Sequence, residues 1–240
     1  MIERSIETNT HGRYLVVPPA SAEPACLLVG FHGYGEGAEA QLERLRAIPG
    51  SDRWSLVAIQ GLHRFYERRS NRVIASWMTR QDREHAIADN LSYVERVLDA
   101  VSREWPDSAF ARHSEDDLRV NKTRLVLAGF SQGVAMAFRA ACTTPRHVDA
   151  VIAVGGDVPP EIDAASLKKI GTALICRGAR DEYYSEEKFQ HDLARIRQAG
   201  AAVQPLPFEG GHEWHSSVID AAATFLETIR LKPVAARSDA

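Results

Sequence analysis

The chain has 240 residues, 45% of them hydrophobic and 25% charged, with a formal net charge of -3. These values describe a soluble globule rather than a disordered chain, and the charge offers nucleic acid no complementary surface. No apolar run approaches a membrane span, and "MIERSIETNTHGRY" contains no apolar stretch of the secretory-signal kind.

Short apolar runs alternate with longer helical patterns. In chain order, the expected strands are "RYLVV", "ACLLVGF", "SLVAIQ", "RLVLAGF", "AVIAV", "TALICRG" and "VQPLPF". The segment "GLHRFYERRSNRVIASWMTRQ" shows no clear period, though its aromatic and arginine content is not that of a linker. Ile87, Leu91, Val94, Leu98, Val101 and Trp105 advance in steps of four and three, one face of a helix. A second helix is expected over Phe189, Leu193 and Ile196. Ser185 is its N-cap, Glu186 and Glu187 occupy its first turn, and Gly200 follows its end. Val218, Ala222, Phe225 and Ile229 mark the last helix, and the tail "KPVAARSDA" is expected to fray. Strand–helix alternation with nearly continuous apolar strands implies a mostly parallel sheet with helices on both faces. The expectation is one α/β domain over 1–240, with its core at about 13–231. Cys26, Cys142 and Cys176 sit in apolar surroundings without metal-type spacing; they read as small hydrophobes in a reducing, cytoplasmic setting.

The chemistry concentrates at Gly129-Phe-Ser-Gln-Gly133, a G-x-S-x-G pattern with a strand before it and a helix after it. Such a turn strains the serine and lifts its hydroxyl above the sheet, while the two glycines avoid collisions with neighbouring backbone. On its own the pattern could be a glycine turn with a serine N-cap; its flanking elements favour Ser131 as a nucleophile. A serine nucleophile needs a base, and the base needs an orienting acid. Asp181 and His212 follow later strands in the required order. Asp157 and His215 are the weaker alternatives, and Glu182 is next to the acid but is expected to point elsewhere. The oxyanion hole is expected from the Gln132 amide and, in His32-Gly33-Tyr34-Gly35, the Tyr34 amide. His32 itself is expected to pack or hydrogen-bond beneath that loop. The remaining histidines, at 11, 63, 85, 113, 147 and 191, are expected to face solvent or cap helices.

With "FHGYGEG", "GFSQGVAMA", "GARDEYY" and "FEGGHEW" in that order, the chain resembles the phospholipase/carboxylesterase branch of the α/β-hydrolases over roughly residues 26 to 230. The branch includes bacterial carboxylesterases and acyl-protein thioesterases. The resemblance implies an α/β-hydrolase fold without a large cap domain, and "ASWMT" resembles the segment lining the acyl site, which puts Trp77 there. Glu36 stands where the family often has Asp, Val134 where it often has Gly, and Glu182, Tyr183 and Tyr184 where it usually has a small apolar stretch.

The expected activity is hydrolysis of a short- to medium-chain carboxylic ester or thioester through an acyl-enzyme. No metal or organic cofactor is expected, and the chain would act as a monomer or homodimer. An amide- or lactone-directed hydrolase and a non-catalytic small-ligand receptor are the alternatives. The segments after the late strands are too short for a lid domain, so an open acyl site is expected, with Phe65, Tyr66, Trp77 and Met78 as its apolar wall. A histidine base works only when neutral, so activity should rise from acid through neutrality and level off in mild alkali.

Overall fold

The computed structural model describes residues 1–2, 4–20, 26–104 and 124–231. Ala25, Trp105, His113 and the tail 232–240, which carried expectations above, lie outside the described residues.

The elements in order are β1 (Arg13–Val17), β2 (Cys26–Phe31), α1 (Ala38–Arg46), β3 (Trp54–Gln60), β4 (His63–Tyr66), β5 (Val73–Ser76), α2 (Arg83–Glu104), β6 (Leu125–Phe130), α3 (Gln132–Thr143), β7 (Ala150–Val154), α4 (Ala164–Leu167), β8 (Thr172–Gly178), α5 (Glu186–Gln198), β9 (Ala202–Phe208) and α6 (Ser216–Leu231). Seven strands form one sheet in the order β1-β3-β2-β6-β7-β8-β9. β1 runs antiparallel to β3, and every other pair is parallel. This is the mostly parallel sheet expected from the alternation of runs, in the α/β-hydrolase arrangement that the family resemblance implied.

Every residue of β2, β3, β6, β7 and β8 is buried, because helices cover both faces of the sheet. One core layer joins Val29, Phe31, Val57 and Leu127 of the sheet to Val94 and Leu98 of α2, Phe138 of α3 and Phe189 of α5. The opposite layer joins Leu28, Val126, Ile152 and Leu174 to Leu45 of α1 and to Val218 and Phe225 of α6. Each such side chain contributes about 1.5–3 kcal/mol on burial. β9 is largely exposed, and as an edge strand it tolerates Pro205 and Pro207, which cannot donate to a second neighbour.

The helix over 186–198 begins as its sequence requires: the Ser185 hydroxyl accepts from the Lys188 amide at 3.3 Å. Gly200 follows its end at φ +80°. The segment without clear period forms a separate two-stranded ribbon, β4 with β5, which an isolated bridge between Glu36 and Ala75 ties to the loop after β2. The parallel strands β2, β6, β7, β8 and β9 all end at one edge of the sheet. The loops carrying Tyr34, Ser131, Gly155, Asp181 and His212 therefore converge there.

Candidate active site

Ser131 links β6 to α3 with φ 53° and ψ -121°, a backbone region that non-glycine residues rarely occupy. Its N–H donates to the Val154 carbonyl at 2.9 Å, which pins the strained residue to β7. A side chain at Gly133 would collide with the Phe31 carbonyl, and one at Gly129 with the Gly133 backbone. The tight crossing of strand and helix thus explains both glycines of the pattern. The Ser131 hydroxyl makes no capping bond to α3; it lies 2.8 Å from His212 Nε2.

His212 Nδ1 in turn lies 2.9 Å from Asp181 Oδ2. The other oxygen of Asp181 accepts from the Tyr183 and Tyr184 amides, each at 2.9 Å, which fixes the carboxylate plane. The Asp181 side chain is 1% exposed and that of His212 20%, so the carboxylate is shielded from solvent while the imidazole is partly accessible. Phe130 packs against the imidazole with centroids 5.0 Å apart. Beneath the pair runs Gly155 at φ +63°, where a Cβ would sit 3.1 Å from both Asp181 Oδ2 and His212 Nδ1.

The weaker alternatives lie elsewhere. Asp157 is half-exposed and pairs with Lys188 at 3.0 Å. His215 bonds Ser217 and stacks on Phe208. Glu182 is exposed, as are His11, His63, His85, His147 and His191.

Among the described residues, neither the Tyr34 amide nor the Gln132 amide donates to a protein acceptor. The second stands at the N-terminus of α3, where the first amides of a helix have no intrahelical partner and the dipole favours negative charge. The loop carrying Tyr34 is braced from two sides. Glu36 Oε2 accepts from the Gly33 amide at 2.7 Å, and its carboxylate takes both arms of Arg44 at 2.5 and 2.6 Å. Burial alone would raise the Glu36 carboxyl, but Arg44 and the Gly33 amide outweigh it and hold the group below its usual range. Arg44 also lies over the Phe130 ring, 4.1 Å from its centroid. From below, fully buried His32 donates from Nδ1 to the Gly33 carbonyl at 2.7 Å and accepts at Nε2 from the Gly61 amide at 2.9 Å. That pair of bonds needs the neutral imidazole, and burial holds its pKa down.

Of the expected acyl wall, only Phe65 and Tyr66 present substantial surface, 37% and 69% exposed. Trp77 corrects the expectation. It is fully buried, stacks on His32 at 5.0 Å and donates from Nε1 to the His32 carbonyl at 2.8 Å. It packs beneath the loop carrying Tyr34 from within the core and presents no exposed surface. Met78 is 8% exposed, and its carbonyl accepts from the Gln132 side chain at 2.9 Å. No group of three or more His, Cys, Asp or Glu side chains among the described residues could hold a metal ion.

Residues 12–230 match the family described as Phospholipase/Carboxylesterase. The chain belongs to that family. Among solved structures, this phospholipase/carboxylesterase family member is similar to esterase PE8, with 23% identity, 92% of this chain and 100% of that chain covered, and a TM-score of 0.65. It is also similar to the Bacillus cereus carboxylesterase (15%, 92% and 96%, TM-score 0.65) and to Zea mays acyl-protein thioesterase 2 (17%, 92% and 100%, TM-score 0.67). A search of curated proteins finds no match. At these identities, the likeness to solved structures establishes the fold.

Two features of this family member were not visible as site residues in the sequence. The Gln132 side chain accepts from the Trp77 amide at 3.0 Å and the Ser76 hydroxyl at 3.2 Å, joining the residue after the serine to the end of β5. Tyr184, fully buried, donates from its phenol to Asp192 at 3.0 Å while its carbonyl accepts from Arg177 at 2.9 Å. Its amide is one of the two that hold Asp181, so this tyrosine anchors the loop carrying Asp181 to α5. The "DEYY" departure from the family pattern was the available signal.

Proposed function

We propose that the chain is a serine hydrolase of carboxylic esters or thioesters that works through an acyl-enzyme. The single observation that carries this is the continuous hydrogen-bonded series from Ser131 Oγ through His212 to Asp181 Oδ2, at 2.8 and 2.9 Å. His212 Nε2 takes the Ser131 proton as Oγ attacks the carbonyl carbon, and Asp181 orients the imidazole and stabilises its cation. The Tyr34 and Gln132 amides donate to the carbonyl oxygen as it becomes negative. Collapse expels the alcohol or thiol with the proton from His212. Water then attacks the acyl-serine with the same base and frees the acid.

Short connections after β7 and β8, residues 155–171 and 179–185, support an open site that takes short- to medium-chain acyl groups. Each buried methylene adds roughly 0.8 kcal/mol, so kcat/KM for aryl esters from acetate to palmitate should climb only while the chain still touches Phe65 and Tyr66. A steady rise to palmitate, or a jump on micelle formation, would count against the open site. The free thiols Cys26, Cys142 and Cys176 suit a reducing compartment such as the cytoplasm. The test of the reading is burst kinetics on a 4-nitrophenyl ester. A burst in the native chain, absent in Ser131→Ala, is expected; turnover unchanged by Ser131→Ala contradicts it.

A further inference from the structure

Tyr183 presents a large apolar ring to solvent, 72% exposed, on a backbone held at both of its polar groups. Its N–H donates to Asp181 Oδ1 at 2.9 Å, and its carbonyl accepts from Lys188 Nζ at 3.2 Å. The ring packs against the His212 imidazole with centroids 4.9 Å apart and planes at 58°. Apolar surface left in water is unfavourable, so a ring kept there on a fixed backbone calls for an occupant. Among the described residues, the exposed large hydrophobic side chains away from the chain ends are Tyr34, Phe65, Tyr66, Val73 and Tyr183. All five lie on the oxyanion loop, on the ribbon touching it through Tyr34 and Phe65 (5.8 Å), or on the acid loop. Exposed apolar surface is thus gathered at the mouth of the site, the distribution expected of a binding surface.

The chemistry decides which part of a substrate meets Tyr183. The carbonyl oxygen is drawn to the Tyr34 and Gln132 amides. The departing atom must approach His212 Nε2, because that nitrogen delivers its proton. The leaving group therefore lies against the imidazole during acylation, and Tyr183 is packed on that imidazole. During deacylation water takes the same place and the leaving group is gone.

Building on the serine-hydrolase reading, we propose that Tyr183 is a specificity-determining residue for the leaving group, selecting esters and thioesters whose alcohol or thiol carries a planar aromatic ring close to the cleaved bond. In the selected step the Ser131 Oγ–acyl carbon bond forms and the acyl carbon–oxygen or carbon–sulfur bond breaks. The serine proton passes through His212 to the departing alcohol or thiol. Ring–ring contact in an offset or edge-to-face geometry favours such a group over a saturated ring of equal size.

Benzyl acetate and cyclohexylmethyl acetate share an acyl group and differ in the planarity of the leaving group. Tyr183→Ala should lower the benzyl-to-cyclohexylmethyl ratio of kcat/KM by about three- to tenfold, whereas Tyr183→Phe should keep the ratio. The deacylation rate of the common acetyl-enzyme, read from the steady state after a 4-nitrophenyl acetate burst, should stay within about twofold in both variants. Equal losses on both esters, or slower deacylation in Tyr183→Ala, would overturn the proposal and leave Tyr183 as a shield for the His212–Asp181 pair. A ratio lost in Tyr183→Phe would overturn it by assigning the effect to the hydroxyl. Absence of any acetyl-enzyme in the native chain would mark a failure of the serine-hydrolase reading itself, and this proposal would fall with it.

Discussion

Replacing Gly155 with alanine tests whether the backbone beside the His212–Asp181 pair sets its geometry. Two effects combine at this position. Its φ of +63° is left-handed, which costs a residue with a Cβ about 1–2 kcal/mol. The new Cβ would also stand 3.1 Å from Asp181 Oδ2, 3.1 Å from His212 Nδ1 and 3.2 Å from its Cε1, so the pair must retreat by a few tenths of an ångström. A 1 Å misplacement costs roughly 10²-fold in rate, so a retreat of about a third of that gives a loss of roughly three- to tenfold in kcat/KM. The strain term lowers Tm by about 2–8 °C for a domain of this size. Gly200→Ala separates the two effects. Gly200 has φ +80° but nothing within 4 Å of the Cβ position, and it closes α5 away from the site. It should lose a similar Tm and keep its activity. The assay is thermal unfolding with aryl-ester kinetics on both variants. If Gly155→Ala loses no more activity than Gly200→Ala, Gly155 does not set the geometry of the pair.

Three further outcomes are expected. Asp181→Asn should lower kcat by a large factor, though less than the three or more orders of magnitude expected of Ser131→Ala or His212→Ala, whereas Asp157→Asn should stay within a few-fold; steady-state kinetics on one aryl ester decides, and a larger loss in Asp157→Asn would transfer the role of acid. Tyr184→Phe removes the O–H that serves buried Asp192 and should cost about 1–3 kcal/mol, read as a lower midpoint in denaturant, with kcat changed less than tenfold because the amide to Asp181 remains. His32 gives a pH dependence: burial, partly opposed by the Gly33 carbonyl and Glu36, holds its pKa down. The unfolded chain therefore binds the proton first as pH falls below about 6.5. The stabilising contribution of neutral His32 is complete above that pH and is lost progressively below it. Tm should fall more between about pH 7 and about pH 5 in the native chain than in His32→Gln, and equal slopes would contradict the assignment.

The parallel strands and the meeting of Ser131, His212 and Asp181 were legible because continuous apolar runs, glycines and a short serine motif are local signals. The ribbon over 63–76 was not. All four residues of β4 are exposed, so no alternation of apolar and polar side chains announces a strand. α1 was missed for a similar reason: its buried face is only Ala38, Gln41 and Leu45, set among charged residues. Trp77 shows the limit of a motif. "ASWMT" resembles an acyl-site lining, and nothing in the five residues encodes the packing of the Trp77 ring on His32 inside the core. Asp192, in "HDLARI", looks like a solvated helix charge. Its bonds to the Val158 amide and to Tyr184 OH depend on crossings of the chain that no local pattern encodes.

The covalent intermediate offers the most direct measurement. The native chain would be mixed with a reactive aryl ester, quenched in acid during the burst, and analysed by intact mass and peptide mapping. One acyl group per chain on the peptide containing Ser131, absent from Ser131→Ala, is the expected result. Turnover with no acyl group on Ser131, or an acyl group carried by another residue at the rate of the burst, would contradict the assignment of Ser131 as the nucleophile.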